Sequence, residues 1–478
     1  VESRGLGDVY KRQPPVSTER FPVHSPRKVH PVHPVPAGSA PSGVRTSRAS
    51  RTGRTVRTVR QSSKLRNVLY EIRGPVADRA AELERDGVEI LRLNIGNPQP
   101  FGFAAPPGIV AGMARTLDIS HGYSASHGLP EALDAVIGRY SAVPGFPSLT
   151  RDRVFLGNGV SELITMTCQA LVDDGDEVLV PSPDYPLWTA MVTLAGGTPV
   201  HYRCDEQDAW NPDLSDMEAR VTERTTAVVV INPNNPTGAV YPPHILRGIA
   251  DIARRHGLTL LVDEIYDAII YGDATGTATV AGPSSGHTSL AAVAPDLLTL
   301  SYSGLSKSSR LAGYRAGWLV VTGPTDHASD FLHGLNLMAS TRLCPNVPGQ
   351  QAVIAALGGA GTGQDADMSV TALTAPGGRL RRQRDTVTAA LDGMDGVSCV
   401  TPGGALYAFP RLDPEVHEIR DDERLVLDLL EQEHILLVHG TGFNWPAPDH
   451  LRIVLLPEEQ VLATAMERFG NFLASYRQ

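Results

Sequence analysis

The chain has 478 residues, of which 42% are hydrophobic and 20% charged, as in globular proteins of two or three domains. Its net charge is −10, which argues against nucleic acid as the main partner. No apolar run reaches ~18 residues, so no membrane span is expected, and four scattered cysteines without CxxC spacing suggest a reducing, cytoplasmic compartment and no metal site.

Residues 1–60 differ from the rest of the chain. They hold 12 Lys/Arg and 3 Asp/Glu, are rich in Pro, Ser, Arg and His, and lack apolar periodicity. Such a segment buries too little surface to offset its ordering entropy, so we predict a disordered tail. Because no methionine precedes Met113, a non-native extension is an alternative, and an Arg- and Ser-rich transit peptide is another.

From residue 61 onward, short apolar runs alternate with helical patterns, which predicts a doubly wound α/β fold with a mostly parallel sheet. The predicted strands are Glu177–Pro181, Ala227–Ile231, Leu258–Val262, Leu297–Ser301 and Trp318–Val321. Helical periodicity covers residues 160–171 and 246–256, and Gly257 is a C-cap signal for the second helix.

The texture of the sequence also predicts a division into domains. We assign 61–100 to an N-terminal arm and part of a small domain, 101–343 to a large domain and 344–478 to a smaller α+β domain. In the last, helices are predicted around 375–393 and 423–433, and strands near 398–400, 406–409, 435–438 and 452–456. The Gly-, Thr- and Ser-rich stretches 272–288 and 358–378 are predicted to be surface loops.

The strongest chemical signal is Lys307 in Ser-Gly-Leu-Ser-Lys, just after a predicted strand. Small neighbours leave the amine accessible to a planar cofactor, and Schiff-base formation needs a neutral amine, which a nearby cation favours. Arg315, eight residues on, offers that cation and a bidentate grip on phosphate. Taken alone, the motif would be an ordinary loop lysine.

Two further motifs follow apolar strands, where ligands bind in open α/β sheets. Asn235 lies in the motif Asn-Pro-Asn-Asn-Pro-Thr-Gly, and its side-chain amide can donate to a phenolate oxygen. The same motif is also typical of an ordinary tight turn. Asp263 and Tyr266 lie in Asp-Glu-Ile-Tyr; a carboxylate there needs a partner such as a protonated pyridine nitrogen. The alternatives are that Asp263 is a helix N-cap and that Tyr266 is an aromatic residue of the core.

Three weaker signals complete the set. The turn Gly157–Gly159 before Val160 and Ser161 could place an anion at a helix N-terminus. Tyr185 could stack on a flat ring. Arg452 lies in an apolar strand and needs an anion, either a substrate carboxylate or a structural ion-pair partner.

Together these motifs resemble the class I pyridoxal-phosphate (PLP)-dependent aminotransferases of fold type I, over about residues 62–478. The closest likeness is to bacterial glutamate–pyruvate (alanine) transaminases. The motifs are NPNNPTG, DEIY, SGLSK and GYRAG, supported by LNIGNP, GYSASHGL, GNGVSEL, PDYPLW, CPNVPGQ, TPGGRL, GGALYAFP, FNWP and PDHLRIVLLP.

The resemblance implies a role for each matching residue. Lys307 would hold PLP as a Schiff base, Asp263 would pair with the pyridine nitrogen, and Asn235 and Tyr266 would bind the phenolic oxygen under a stacked Tyr185. The implied phosphate ligands are Arg315, Val160, Ser161, Ser306 and, from the other subunit of a homodimer, Tyr123. The implied substrate ligands are Gly96, Asn235 and Arg452, with Tyr70 and Arg73 closing over the substrate.

The expected activity is ping-pong transamination between amino acids and 2-oxo acids, with alanine and 2-oxoglutarate as the pair that the resemblance implies. Lys307 would act as base and acid. Three alternatives remain: a PLP-dependent C–S β-lyase, a transaminase for aromatic or branched donors, and a PLP-binding transcriptional regulator. The last lacks support, because residues 1–60 show no helix-turn-helix pattern.

Overall fold

Apolar β-branched runs form the strands of the fold, because such residues pack well on a pleated, buried surface. The structure is a computed structural model that describes residues 59–68, 74–272, 286–358 and 369–478. The predictions for residues 1–58 and for most of the 272–288 loop fall outside these ranges. The strands are β1 Leu91–Arg92, β2 Val154–Gly157, β3 Glu177–Ser182, β4 Thr198–Asp205, β5 Asn211–Pro212, β6 Thr225–Ile231, β7 Thr259–Asp263, β8 Thr299–Gly304, β9 Gly317–Thr322, β10 Val397–Ser398, β11 Tyr407–Ala408, β12 Arg411–Leu412, β13 Ile435–Leu436, β14 Val438–His439 and β15 Leu451–Val454.

The helices alternate with these strands. They are α1 Pro75–Arg85, α2 Pro107–Ala114, α3 Pro130–Ser141, α4 Val160–Leu171, α5 Leu187–Ala195, α6 Leu214–Ala219, α7 Pro243–His256, α8 Leu290–Val293, α9 Ser329–Thr341, α10 Val347–Leu357, α11 Val370–Thr374, α12 Arg379–Asp392, α13 Pro414–His417, α14 Asp422–Glu433 and α15 Glu459–Ser475. Helix α7 ends, as predicted, at Gly257, whose φ of 67° suits a residue without a Cβ.

Within the described residues, eight strands form one large sheet in the order β2-β9-β8-β7-β6-β3-β4-β5. The pairs β4–β3, β3–β6, β6–β7 and β7–β8 are parallel, whereas β2–β9, β9–β8 and β4–β5 are antiparallel. The sheet is therefore mixed around a parallel centre. Because β9 runs against both its neighbours, β2 points the same way as the parallel strands.

Both faces of this sheet are covered by helices, which confirms the doubly wound α/β prediction. Along β6, Val229 packs with α4, α5 and α9, whereas Val228 and Val230 point to the opposite face and pack with α6 and α7. This alternation follows from the two-residue period of a strand. All the predicted strands of this sheet are present, with ends shifted by at most three residues.

Short strands pair in the C-terminal part of the chain. Strand β15 lies between β11 and β14, β10 pairs with β12, and β1 pairs in parallel with β13. Helices α1, α12, α14 and α15 bury one apolar cluster beside them. Helix α10, in contrast, packs with α2 and α3. Residues 61–478 form one compact unit, so the domain boundaries stay a prediction.

One loop prediction is wrong in its described part. Residues 370–374, within the predicted loop 358–378, form helix α11, because Ser369 caps it by accepting from the backbone N–H of Ala372 at 3.1 Å. The helix predicted around 375–393 begins only at Arg379, after this short helix. Among the described residues, no helix is long and apolar enough to cross a bilayer.

The packing of β6 yields a stability prediction. Val229→Ala removes two methyl groups from a fully buried position and should lower the free energy of unfolding by about 2 kcal/mol. Val461→Ala, on α15 and 39% exposed, is the matched control and should change it by less than ~0.5 kcal/mol. Urea unfolding followed by circular dichroism measures both, and equal effects would contradict the packing described.

Candidate active site

The carboxyl ends of β2, β3, β6, β7 and β8 meet at one edge of the large sheet, because these strands point the same way. A cavity of about 350 Å³ lies there. The residues predicted from the sequence that line it are Gly96, Val160, Ser161, Tyr185, Asn235, Asp263, Tyr266, Ser306, Lys307, Arg315 and Arg452.

Lys307 reaches the cavity from the turn after β8, which ends at Gly304. Its Nζ donates to the backbone oxygen of Gly96 at 2.8 Å and lies 5.8 Å from the ring centroid of Tyr266. The side chain is only partly buried, so the amine remains open to the cavity.

Asp263 ends the central strand β7 and is 3% exposed. Its carboxylate accepts from the Trp188 indole at 3.3 Å and from the Ile265 backbone N–H at 3.2 Å. Burial raises the pKa of Asp263 to about 6, although these donors and the Lys307 charge oppose the rise. A cationic ligand group could therefore pair with this carboxylate, and the free-energy cost of desolvating the carboxylate is already included in folding.

Arg452 occupies the opposite side of the cavity on β15 and is 3% exposed. Its guanidinium donates to the Asn235 side-chain oxygen at 3.1 Å and to the Asn94 backbone oxygen. The rings of Tyr407 and Phe443 lie against it, each centroid 4.5 Å from Cζ. Its cavity-facing position suits a carboxylate, since a guanidinium can bind one bidentately.

The N-terminus of α4 and Arg315 form a third, anion-binding corner. Helix α4 begins at Val160 after Gly159, whose φ is 84°, and no side chain of the described residues caps it, so its first N–H groups are available. A Cβ at Gly159 would overlap the Arg315 guanidinium, and the positive φ there favours glycine in any case. Ser306 lines the same cavity.

The turn before α4 is fixed by hydrogen bonds from outside the cavity. The backbone N–H and side-chain amide of Asn158 both donate to Glu162 at 2.8 Å, and Glu162 also pairs with Arg342. The Asn158 side-chain oxygen accepts from the Asn346 backbone N–H at 2.8 Å. These contacts hold the helix N-terminus in place before any ligand arrives.

Sequence reasoning missed three hydrogen-bonding residues of this site. Tyr407 and Asn94 line the cavity, and Trp188 donates to Asp263 from behind it. Tyr407 lies in the GGALYAFP motif and Asn94 in LNIGNP, but neither follows a strand of the large sheet. A polar aromatic in an otherwise apolar strand was the available signal for Tyr407.

Among the described residues, one predicted site residue, Tyr123, does not line the cavity. Tyr123 is 84% exposed, and its assignment to a neighbouring subunit stays a prediction. Tyr70 and Arg73 lie outside the described residues, and their roles also stay predictions.

Known proteins are similar to the part of the chain that holds this site. The family described as aminotransferase class I and II matches residues 89–469. An alanine aminotransferase of Mycobacterium tuberculosis is 60% identical over 418 residues, covering 87% of this chain and 93% of the relative. A glutamate–pyruvate aminotransferase, AlaA of Escherichia coli, is 49% identical over 418 residues, covering 87% and 98%.

Solved structures agree with the sequence matches. An aminotransferase from Escherichia coli has a TM-score of 0.83 at 48% identity and covers 88% of this chain and 100% of that one. An alanine aminotransferase from Pyrococcus furiosus has a TM-score of 0.79 at 36% identity, covering 87% and 100%.

The buried carboxyl of Asp263 predicts a pH dependence for the ligand-free protein. Because burial raises its folded pKa from 3.8 to about 6, the unfolded chain binds fewer protons between about pH 4 and pH 6, and stability falls as pH rises through that window. Asp263→Asn should remove up to about 3 kcal/mol of this fall.

Urea unfolding of the ligand-free protein at pH 4, 5, 6 and 7 measures the effect. Asp326→Asn, an exposed carboxyl, is the control and should leave the pH slope unchanged. An Asp263→Asn protein with the wild-type slope would show that the carboxyl titrates at its ordinary pKa.

Proposed function

Since the chain belongs to the aminotransferase class I and II family, we propose that it moves the amino group of alanine to 2-oxoglutarate, and of glutamate to pyruvate. The fold is the type I α/β fold of PLP-dependent aminotransferases, as the solved relatives have it. The observation that carries the proposal is that the Lys307 amine, the buried Asp263 carboxylate and the Arg452 guanidinium line a single cavity.

The cavity residues fit PLP group by group. The free N-terminus of α4, Arg315 and Ser306 match a phosphate dianion, and Gly159 keeps that corner open. Burial disfavours the unpaired carboxylate of Asp263, and a protonated pyridine nitrogen would be a suitable counter-charge. Lys307 supplies the amine that PLP requires. When bound, PLP supplies the carbonyl carbon that receives the amino group and the ring that accepts electrons from the Cα–H bond.

The remaining ring contacts follow from the same geometry. Asn235 and Tyr266 reach the cavity from the ends of β6 and β7, where their amide and hydroxyl can donate to the phenolic oxygen. Tyr185, after β3, presents a ring that can stack on the pyridine face. Asp263 holds the proton on the ring nitrogen, which keeps the ring electron-poor.

The substrate amino acid is oriented from the opposite side. Arg452 binds its α-carboxylate with the backbone of Gly96 beside it, which aims the Cα–H bond toward Lys307. Lys307 Nζ takes the Cα proton as general base and later returns a proton as general acid. The same residues run the reverse direction with the second 2-oxo acid, so one site serves both half-reactions.

The partners we propose are small amino acids, their 2-oxo acids and a second copy of the chain. The support for a homodimer is the family and the 84% exposure of Tyr123, whose hydroxyl would reach the phosphate of the neighbouring subunit. In this proposal Tyr70 and Arg73 close over the substrate. A cytoplasmic location is part of the same proposal.

A half-reaction tests the activity directly. The PLP-loaded protein mixed with L-alanine, without any 2-oxo acid, should release one pyruvate per subunit and lose its visible absorbance band, because the amino group stays on the cofactor. Lys307→Ala should release no pyruvate in a single turnover, and Lys64→Ala, an exposed lysine, should match wild type. In a parallel assay with a cysteine S-conjugate in place of alanine, continuous pyruvate release without an acceptor would indicate a C–S β-lyase instead.

A second measurement tests Arg452. Arg452→Gln should raise KM for alanine about 10- to 150-fold, since a charge-assisted hydrogen bond contributes ~1.5–3 kcal/mol. Steady-state kinetics with 2-oxoglutarate measures this, and Arg420→Gln, an exposed arginine, is the control. An unchanged KM would place the carboxylate elsewhere in the cavity.

A further inference from the structure

Tyr407 and Tyr266 form a pair of phenols inside the cavity. Their hydroxyl oxygens lie 2.8 Å apart, and their rings meet edge to face with centroids 5.8 Å apart. Both residues are buried, at 2% and 3% exposure. Tyr407 comes from β11 and Tyr266 from the end of β7, so this hydrogen bond joins the large sheet to the C-terminal strands.

Tyr407 also touches the other groups that hold the substrate. Its ring lies against the Arg452 guanidinium at 4.5 Å. A Cβ built on Gly96 would overlap the Tyr407 hydroxyl and stand 2.9 Å from its Cζ, so the phenol is closely packed against the residue that accepts from Lys307. The Tyr407 side chain thus contacts both Arg452 and Tyr266, which line opposite sides of the cavity.

The surroundings of the two phenols shift their pKa values in opposite directions. Burial raises the pKa of Tyr266 well above its usual range. Burial also acts on Tyr407, but the positive charges of Lys307 and Arg452, together with the Tyr266 hydroxyl, lower its pKa overall. Tyr185 is the further titratable group that bears on Tyr266. Either hydroxyl can donate in this bond; when the Tyr266 proton points into the cavity toward a ligand, Tyr407 is the donor and Tyr266 the acceptor.

A phenol that accepts one hydrogen bond becomes a stronger donor in the next, because bonds in a chain polarise one another. We propose that Tyr407 is a positioning residue that holds the Tyr266 hydroxyl as a donor toward the phenolic oxygen of the bound cofactor. This inference rests on the proposed function, in which Tyr266 contacts that oxygen. Tyr407 itself acts through Tyr266 and through the placement of Arg452.

The visible absorbance of the PLP-loaded protein reports on this donor. A donor to the phenolic oxygen stabilises its negative charge and lowers the pH midpoint at which the bound cofactor loses its proton. Tyr407→Phe keeps the ring against Arg452 but removes the hydroxyl, so we expect the midpoint to rise by about 0.3–1 pH unit. Because the ring stays, KM for alanine should change less than about 3-fold.

Three further variants make the test specific. Tyr266→Phe should raise the midpoint more than Tyr407→Phe, and the double variant should match Tyr266→Phe, because the Tyr407 hydroxyl affects the midpoint only through Tyr266. Tyr271→Phe is the matched control: its hydroxyl lies in the same apolar cluster, donates to the Ala405 backbone oxygen at 2.9 Å and does not line the cavity. It should leave the midpoint unchanged.

The outcomes separate this inference from the proposed function. A raised midpoint in Tyr407→Phe that does not add to that of Tyr266→Phe supports the positioning role. An unchanged midpoint in Tyr407→Phe, with a raised one in Tyr266→Phe, overturns it while the proposed function stands. An unchanged midpoint in both variants overturns the role of Tyr266 and the inference with it. A loss of thermal stability without a midpoint shift shows a purely structural role.

Discussion

The site depends on a carboxylate that the fold buries without a full counter-charge. Asp263 ends the central strand of the large sheet, and among the described residues an indole N–H and one backbone N–H donate to it. Burial raises its pKa to about 6. A buried charge without a full counter-charge lowers the free energy of unfolding, and the packing of the surrounding sheet must offset that loss. The same cost makes the site bind a cation well, and the carboxylate is in place before a ligand arrives.

The direction of the strands explains why the other groups meet there. Strands β2, β6 and β8 end at the same edge of the large sheet, so residues far apart in sequence, such as Val160, Asn235 and Lys307, meet there. The C-terminal strands add Arg452 and Tyr407 from the opposite side. In the proposed function one wall of the cavity serves the cofactor and the other the substrate, and the Tyr266–Tyr407 hydrogen bond joins the two.

The strands and most site residues could be predicted because their signals are local. Asp263, Asn235 and Lys307 each follow an apolar run that is a strand in its own right, and the position after such a strand indicates a ligand site. Tyr407 could not be predicted in this way, since its role comes from contacts with Tyr266 and Arg452 that are distant in sequence. Helix α11 was missed because a serine cap, rather than apolar periodicity, defines its start.

Chemical trapping tests most directly that Lys307 is the amine that binds the cofactor. Borohydride reduction of the PLP-loaded protein, followed by digestion and mass spectrometry, should find the cofactor attached to Lys307 in stoichiometric amount. Lys64 in the same digest should be unmodified. Attachment to another lysine, or none under conditions where the protein transaminates alanine, would contradict the account of the site.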